Sequence, residues 1–338
     1  MAGLKLGVTV GAAGRDGAQL TELAQRAERL GCDSLWSGEA YSIDAVTPLT
    51  WAAACTSTIG LGTGIMQMPG RTPAMTAMTG LGLAELSGGR FRLGLGLSGP
   101  RVAEGWHGAP TDRPLQRTRE YVDVVRQVLA ATDPVALAGE CYQLPYQGPG
   151  ASGLGAALRP MLRTSHAIPI YLASMGPRNL RLAVEIADGV LPILWNPVRW
   201  QDAYGADLFA GARDGFDLAP QVWVSLGDDL AACRDDLRRH IAFYVGAMGP
   251  VGKNFYAEVV RRYGYEEVVD RVAACYAERR GPEAAAHIPD QLVDEVGLVG
   301  PRSHVAEQLD RWRDSPVTTI IVDTHEPTAL TTLAELTS

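Results

Sequence analysis

The 338-residue sequence contains no apolar run approaching the roughly 20 residues of a membrane span, and its N-terminus lacks a basic segment leading into an apolar signal core. Cysteine is scarce. Cys32, Cys55, Cys141, Cys233 and Cys275 lie far apart, are odd in number and form no Cys-x-x-Cys pair, which excludes a disulfide framework. Also missing are His-Glu-x-x-His, a Walker-type Gly-Lys-Ser, a Gly-x-Ser-x-Gly elbow and any His/Cys cluster at zinc spacing. The six histidines are scattered. A metal hydrolase is therefore disfavoured and no metal site is expected. Positive charge is in deficit, with 30 Lys+Arg against 38 Asp+Glu and a net charge of −8. That balance argues against a nucleic-acid or membrane-surface binder, so any anionic ligand must meet locally placed cations. With 46% apolar and 20% charged residues the chain builds a core without staples. These features predict a soluble, reduced, cytoplasmic protein.

The pattern alternates strand and helix. Short apolar strands are expected at residues 4–10, 34–37, 59–62, 91–95, 168–173, 190–194, 222–226 and 318–322. Between them, Asp16 with Gln19 forms a capping box ahead of Leu20, Leu23, Ala24, Ala27 and Leu30 at helical spacing, and Gly31 supplies the stop. Asp44 caps a second helix, Thr72-Pro73 opens a third, Pro114 starts a long one and Pro177 another. A hairpin turns at Gly139-Glu140, and residues 228–300 read as helical, with an insertion that has no strand of its own. Eight strands, each followed by a helix, predict an α/β fold: a (β/α)₈ TIM barrel as one domain over residues 1–338. A β-hairpin insertion is expected at about 135–145, and a helical insertion at about 240–300 between strands seven and eight.

Gly94-Leu95-Gly96-Leu97-Ser98-Gly99 matches Gly-x-Gly-x-x-Gly, with Glu120 at a ribose-binding distance. A dinucleotide fingerprint belongs to an opening β-α-β unit, however, and this one follows the fourth strand, with Pro100 and Gly105 delaying the helix. A glycine-rich loop above a barrel strand is the better reading. Active sites of such barrels gather at the C-terminal strand ends. That selects residues 38–41, 63–68, 97–101, 174–178, 195–196 and the segment after Leu226. Small residues in these loops let a planar ring or a phosphate approach the backbone. Met175-Gly176-Pro177 presents a helix start to a phosphate, with Arg178 beside it. Glu39 and Glu104 are the main strand-end carboxylates, and Lys253 is a late cation. A mouth this poor in acids, bases and metals suits a borrowed cofactor.

The motifs Gly31-Cys32-Asp33-Ser34-Leu35-Trp36 with Glu39-Ala40-Tyr41, Ile59-Gly60-Leu61-Gly62-Thr63, Ser87-Gly88-Gly89-Arg90-Phe91 and Val296-Gly297-Leu298-Val299-Gly300-Pro301 occur in an order that resembles the bacterial luciferase-like superfamily. With Arg119-Glu120-Tyr121 and Gly139-Glu140-Cys141-Tyr142 the chain resembles specifically the coenzyme F420-dependent oxidoreductases of that superfamily, and Gly105-Trp106-His107-Gly108 and Lys253-Asn254-Phe255-Tyr256 are similar to an actinobacterial subgroup of them. The resemblance implies a (β/α)₈ barrel, often homodimeric, that binds a deazaflavin at its C-terminal mouth. It implies a cis peptide between Gly64 and Ile65 behind the ring, with Met66 beside it. Leu97, Ser98 and Gly99 would line the cofactor, and Ala173, Ser174, Met175, Gly176, Pro177 and Arg178 would hold its phosphate. Glu39 matches the acidic member of an Asp-His pair, whose histidine place is Ala40. Hydride transfer from deazaflavin C5 to an activated C=C or C=N bond needs a proton donor, for which Glu39, Tyr41, His107 and water are the candidates. Trp195 and Tyr41 would wall the substrate pocket, and Arg71 and Arg101 would meet the anionic tail. The implied partner is a small-molecule or peptide substrate. The alternatives are a monooxygenase using reduced FMN and oxygen, and a cofactor-binding barrel without turnover.

Overall fold

The computed structural model describes residues 3–11, 15–249 and 253–337; residues 250–252 of the expected helical insertion lie outside the described residues. The first half alternates β1 (Lys5–Thr9), α1 (Gly17–Arg29), β2 (Ser34–Ser37), α2 (Val46–Cys55), β3 (Gly60–Thr63), β4 (Met66–Gln67), α3 (Pro73–Ser87), β5 (Phe91–Gly96), α4 (Pro100–Ala103) and α5 (Pro114–Ala130). A hairpin of β6 (Leu137–Ala138) and β7 (Gln143–Leu144) follows, then β8 (Ile170–Leu172), α6 (Pro177–Ile186), β9 (Gly189–Val190), α7 (Trp200–Tyr204), β10 (Asp217–Leu218) and β11 (Gln221–Leu226). The last part holds α8 (Leu230–Ala247), α9 (Phe255–Arg262), α10 (Glu266–Ala277), α11 (Asp290–Val296), β12 (Leu298–Gly300), α12 (Arg302–Arg313), β13 (Thr319–Asp323) and α13 (Pro327–Thr337).

Local chemistry sets several boundaries. The Asp16 carboxylate accepts from Gln19 N–H while the Gln19 side chain accepts from Asp16 N–H, closing a capping box on α1. Thr72 accepts from Met75 N–H, Pro73 occupies the first turn of α3, and Gly88 ends that helix at φ 65°. Glu120 on α5 accepts from Glu140, Cys141 and Tyr142 N–H, at 2.8 Å each, and so fixes the hairpin turn. Burial alone would raise its pKa, but these bonds and one from Gln116 lower it. Glu120 is thus a turn cap rather than a ribose ligand. Arg90, in the glycine-glycine-arginine motif, donates to the Ser87, Ile59, Ala53 and Thr56 carbonyls and ties α2 and α3 to the sheet.

The parallel sheet closes on itself. Neighbours run β9, β8, β5, β3, β2, β1, β13, β11. The bent segment 217–221 then bridges the two ends. Its Asp217, Ala219 and Gln221 N–H groups donate to the Asp188, Val190 and Pro192 carbonyls, while its Leu218 and Pro220 carbonyls accept from Thr318 and Ile321 N–H. The result is the expected eight-stranded (β/α)₈ barrel. Two boundaries differ from expectation. The sixth strand is reduced to β9 and a single bridge at Ile193, since Pro192 lacks a donor. The insertion after β11 also carries a strand: β12 pairs with Val224–Leu226 beyond the point where β9 ends.

Side-chain alternation fills the interior in layers. At the N-terminal end Arg92 bonds Asp33 (2.6 Å), and Tyr171 bonds Asp217 (2.9 Å). Above them Trp36, Tyr171, Leu191, Ala219 and Ile321 form a middle layer. The Trp36 indole needs glycine at 62, where a Cβ would overlap its ring, and at 7, where a Cβ would lie 2.9 Å from Nε1. Everything above this layer belongs to the C-terminal mouth.

Candidate active site at the C-terminal mouth

After β3 the chain bulges inward. The Gly64–Ile65 bond is cis, and Gly64 O packs on Gly38, where a Cβ would lie 2.5 Å away. Ile65 points its Cδ1 at Gly96 and the Ala173 methyl sits alongside, so this part of the mouth is small-residue backbone backed by one aliphatic side chain. Glu39 clamps the bulge. Its N–H donates to Ile65 O (2.9 Å), its Oε2 accepts from Gln67 N–H (2.7 Å), and its Oε1 accepts from Arg71 Nη1 (2.5 Å) and Ala45 N–H (3.3 Å). The carboxylate is 7% exposed. All its partners are donors, so both carboxylate oxygens are engaged as acceptors.

Gln67 extends the clamp. Its Nε2 donates to Glu39 O (3.0 Å), which leaves Oε1 as the acceptor for His107 Nε2 at 2.6 Å. The His107 proton is thereby assigned to Nε2. The His107 ring covers Gly70, outside the bulge. It is not at the head of a helix: α4 starts earlier, at Pro100, and Trp106-His107 form the turn that follows. Ala40 is exposed, and Tyr41, 60% exposed, stands near Trp106 at 6.5 Å. Burial first, and then the neighbouring Tyr41, push the Tyr256 phenol up to about 12.

Loops after β5 and β8 form the adjoining wall. Ser98 takes φ 60°, a left-handed conformation uncommon outside glycine and asparagine, in the loop with Leu97 and Gly99. Gly176 is the N-cap of α6 and has open space where a Cβ would be. No side chain caps that helix, and Pro177 has no N–H, so the first-turn donors of Arg178 and Asn179 face the loop 173–176. A small cleft there is lined by Met68, Leu97, Thr118, Ser174 and Asn179. Sequence reading missed Asn179; its signal was a polar residue in the first turn of a helix opened by Gly-Pro. Arg178 is exposed.

Across the barrel lies a second cleft that sequence reading missed altogether. In the eight-strand ring β11 is four strands from β3 in either direction, so it faces the bulge. Alternation from Ala219 puts Gln221 and Trp223 on the inner face, in register with Ile321 and Asp323 of β13. Gln221 Nε2 donates to Asp323 Oδ2 (2.7 Å), and the Trp223 ring stacks on His240 of α8 (4.3 Å) and meets the edge of His325 (5.2 Å). Tyr244 completes the wall. Burial pushes His240 down to about 4, helped by His325 nearby. Burial raises the Asp323 pKa, opposed by the Gln221 bond and His325.

Three residues expected to meet substrate or coenzyme are engaged otherwise. Trp195 is 1% exposed and stacks on Tyr204 (5.4 Å) and Trp200 (6.3 Å) in the outer shell, so it is no pocket wall. Arg71 is spent on Glu39, and Arg101 donates to Ala247 O at the end of α8. Among the described residues no group of three His, Cys, Asp or Glu could hold a metal ion, and no helix is long and apolar enough to cross a membrane.

Comparison with known proteins agrees with this architecture. The sequence profile described as luciferase-like monooxygenase matches residues 3–319. A Mycobacterium tuberculosis protein provisionally named a coenzyme F420-dependent oxidoreductase is 43% identical, over 99% of each chain. A 5,10-methylenetetrahydromethanopterin reductase of Archaeoglobus fulgidus is 28% identical over 90% of this chain and 88% of its own. Among solved structures, the coenzyme F420-dependent tetrahydromethanopterin reductase of Methanopyrus kandleri superposes with a TM-score of 0.78 at 22% identity, covering 99% of this chain and 98% of its own. With its family profile matched almost end to end, and a relative of this identity along its whole length, the chain belongs to the luciferase-like monooxygenase family.

Proposed function

We propose that the protein is a coenzyme F420-dependent oxidoreductase that reduces an activated C=C or C=N bond. The observation that carries this reading is the inward bulge at Gly64–Ile65, clamped by Glu39 and facing β11 across the mouth. The residues present fit a deazaflavin: the Gly64–Ile65 backbone, with the Ile65 side chain packed on Gly96, for a planar ring, and uncapped donors with Ser174 and Asn179 for its phosphate. Exposed Arg178 is available to the anionic tail. The bound coenzyme would supply a hydride at C5. The role of this chain is then to hold the ring, exclude water and deliver a proton.

Glu39 is a positioning residue in this account rather than the acid, because its oxygens already accept from Gln67, Arg71 and Ala45. His107 and Gln67 extend that support. In the assay that tests the reading, purified protein with reduced coenzyme F420 regains the visible absorbance of the oxidised coenzyme when conjugated enones are added. Reoxidation of reduced FMN with oxygen consumption, and none of reduced F420, would instead favour the monooxygenase. F420 binding without reoxidation by enones, imines or dehydroamino acids would favour a binding barrel.

The proposed assembly is a homodimer. On α3, Met75, Met78 and Leu86 are each more than half exposed and share one face, while the opposite face of α3 is buried in the core. A second copy of this chain would cover that face, and light scattering at the monomer mass would contradict this. Five free thiols accord with a reducing, cytoplasmic setting.

A further inference from the structure

The cleft between β11, β13 and α8 holds polar groups that neither barrel packing nor the coenzyme seat uses. Trp223 Nε1 is buried and has no hydrogen-bond partner among the described residues. Asp323, its neighbour in register, accepts from Gln221 at Oδ2 and lines the same cleft. An indole N–H is a donor only, and a buried donor left unmet is destabilising unless a ligand satisfies it. We propose that Trp223 and Asp323 form a paired donor site for the carbonyl oxygen of an α,β-unsaturated substrate, with Asp323 passing its proton to that oxygen. The proposal rests on the F420-dependent reading above and deepens it: a carbonyl-activated C=C bond offers this site an oxygen acceptor conjugated to the carbon that takes the hydride.

Burial shifts Asp323 toward its uncharged form. The groups facing Asp323 are Gln221 from β11, His325 from the loop after β13, and His240 and Tyr244 from α8. Burial keeps His240 neutral at physiological pH, with its pKa near 4, and raises the Tyr244 phenol, so neither offers a charge. The Gln221 hydrogen bond and, more weakly, exposed His325 oppose the rise that burial imposes on Asp323. A neutral carboxylic acid donates through O–H, whereas a carboxylate cannot.

The step balances as follows. Hydride from the reduced coenzyme forms the new C–H bond at the β-carbon. The C=C pair moves to the neighbouring bond, and the carbonyl π pair moves onto oxygen, which takes the Asp323 proton. The enol then loses its O–H proton to solvent and gains one at the α-carbon. Asp323 is reprotonated from solvent, which also receives the proton freed when the coenzyme is oxidised. Two electrons and two hydrogens are thus added in all.

The test uses the full chain loaded with oxidised F420 and the chromophoric enal 4-dimethylaminocinnamaldehyde, whose absorbance shifts to the red when its carbonyl accepts hydrogen bonds. The wild type is expected to bind it with a red shift that fades with rising pH in a single-proton titration. In Asp323→Asn the shift should be smaller and independent of pH. Trp223→Phe should bind the aldehyde about tenfold more weakly and keep the titration. F420 affinity, read separately by fluorescence, should stay unchanged in both variants. A titrating shift that survives in Asp323→Asn overturns the proposal. So does wild-type affinity in Trp223→Phe, or an F420-binding wild type that gives no shift. Failure of the wild type to bind F420 overturns the underlying reading, and the proposal with it.

Discussion

Replacing Gly94 by alanine is expected to cost more than about 3 kcal/mol of stability, a fall in Tm of about 4 °C or more. A Cβ built at this position overlaps the carbonyl oxygen of Thr63 on the neighbouring strand and lies 2.9 Å from Leu191 Cδ1. The obstacle is backbone, which no rotamer change relieves. The strands are also fastened at this point: Thr63 Oγ1 donates to Gly94 O and accepts from Gly94 N–H, both at 2.8 Å. Moving β3 from β5 would break that exchange and widen the sheet beneath the bulge. Gly176→Ala provides the contrast, since nothing lies within 4 Å of its Cβ, and it should cost no more than about 1 kcal/mol. Paired thermal melts measure the difference. Equal melting of Gly94→Ala and wild type would mean that the glycine run is a free loop, as a dinucleotide fingerprint requires, rather than a strand under interior pressure.

The second large effect concerns Glu39. Glu39→Ala leaves the Arg71 guanidinium and Gln67 N–H without their partner, in a place where the carboxylate was almost wholly buried. Each unmet group costs about 1–3 kcal/mol, and the bulge that backs the proposed ring loses its anchor. F420 affinity should fall on the order of 100-fold, about 2.7 kcal/mol. Glu39→Gln keeps an oxygen for Gln67 N–H but turns an amide NH2 toward the donors Arg71 and Ala45, so a smaller fall of about tenfold is expected. A positioning residue predicts weaker coenzyme binding with an unaltered pH profile of turnover. Normal coenzyme affinity in Glu39→Gln, with turnover lost in the acidic limb, would restore Glu39 as the acid.

Much of the barrel was legible because its signals are local. Apolar runs such as 4–10 and 91–95, stopped by glycine and followed by capping residues such as Asp16 and Thr72, place strands and helices without tertiary information. The elements missed were β4, β10 and β12, two or three residues long and so too short to show any period. The coenzyme side of the mouth was legible through glycines and prolines, whose backbone demands are local too. The opposite side was not. Gln221, Trp223, His240 and Asp323 are spread over about a hundred positions, and only ring closure at 217–221 brings them together. Trp195 misled for the converse reason: strand-end position argued for the pocket, but Trp200, Tyr204 and Phe209 claim its ring in the outer shell.

The central claim is that this mouth seats a deazaflavin. Fluorescence titration of the purified wild-type protein with oxidised F420, run beside FMN, tests it most directly. The account predicts saturable, stoichiometric quenching by F420 at one site per chain and none with FMN. Tight FMN binding with indifference to F420 would contradict it.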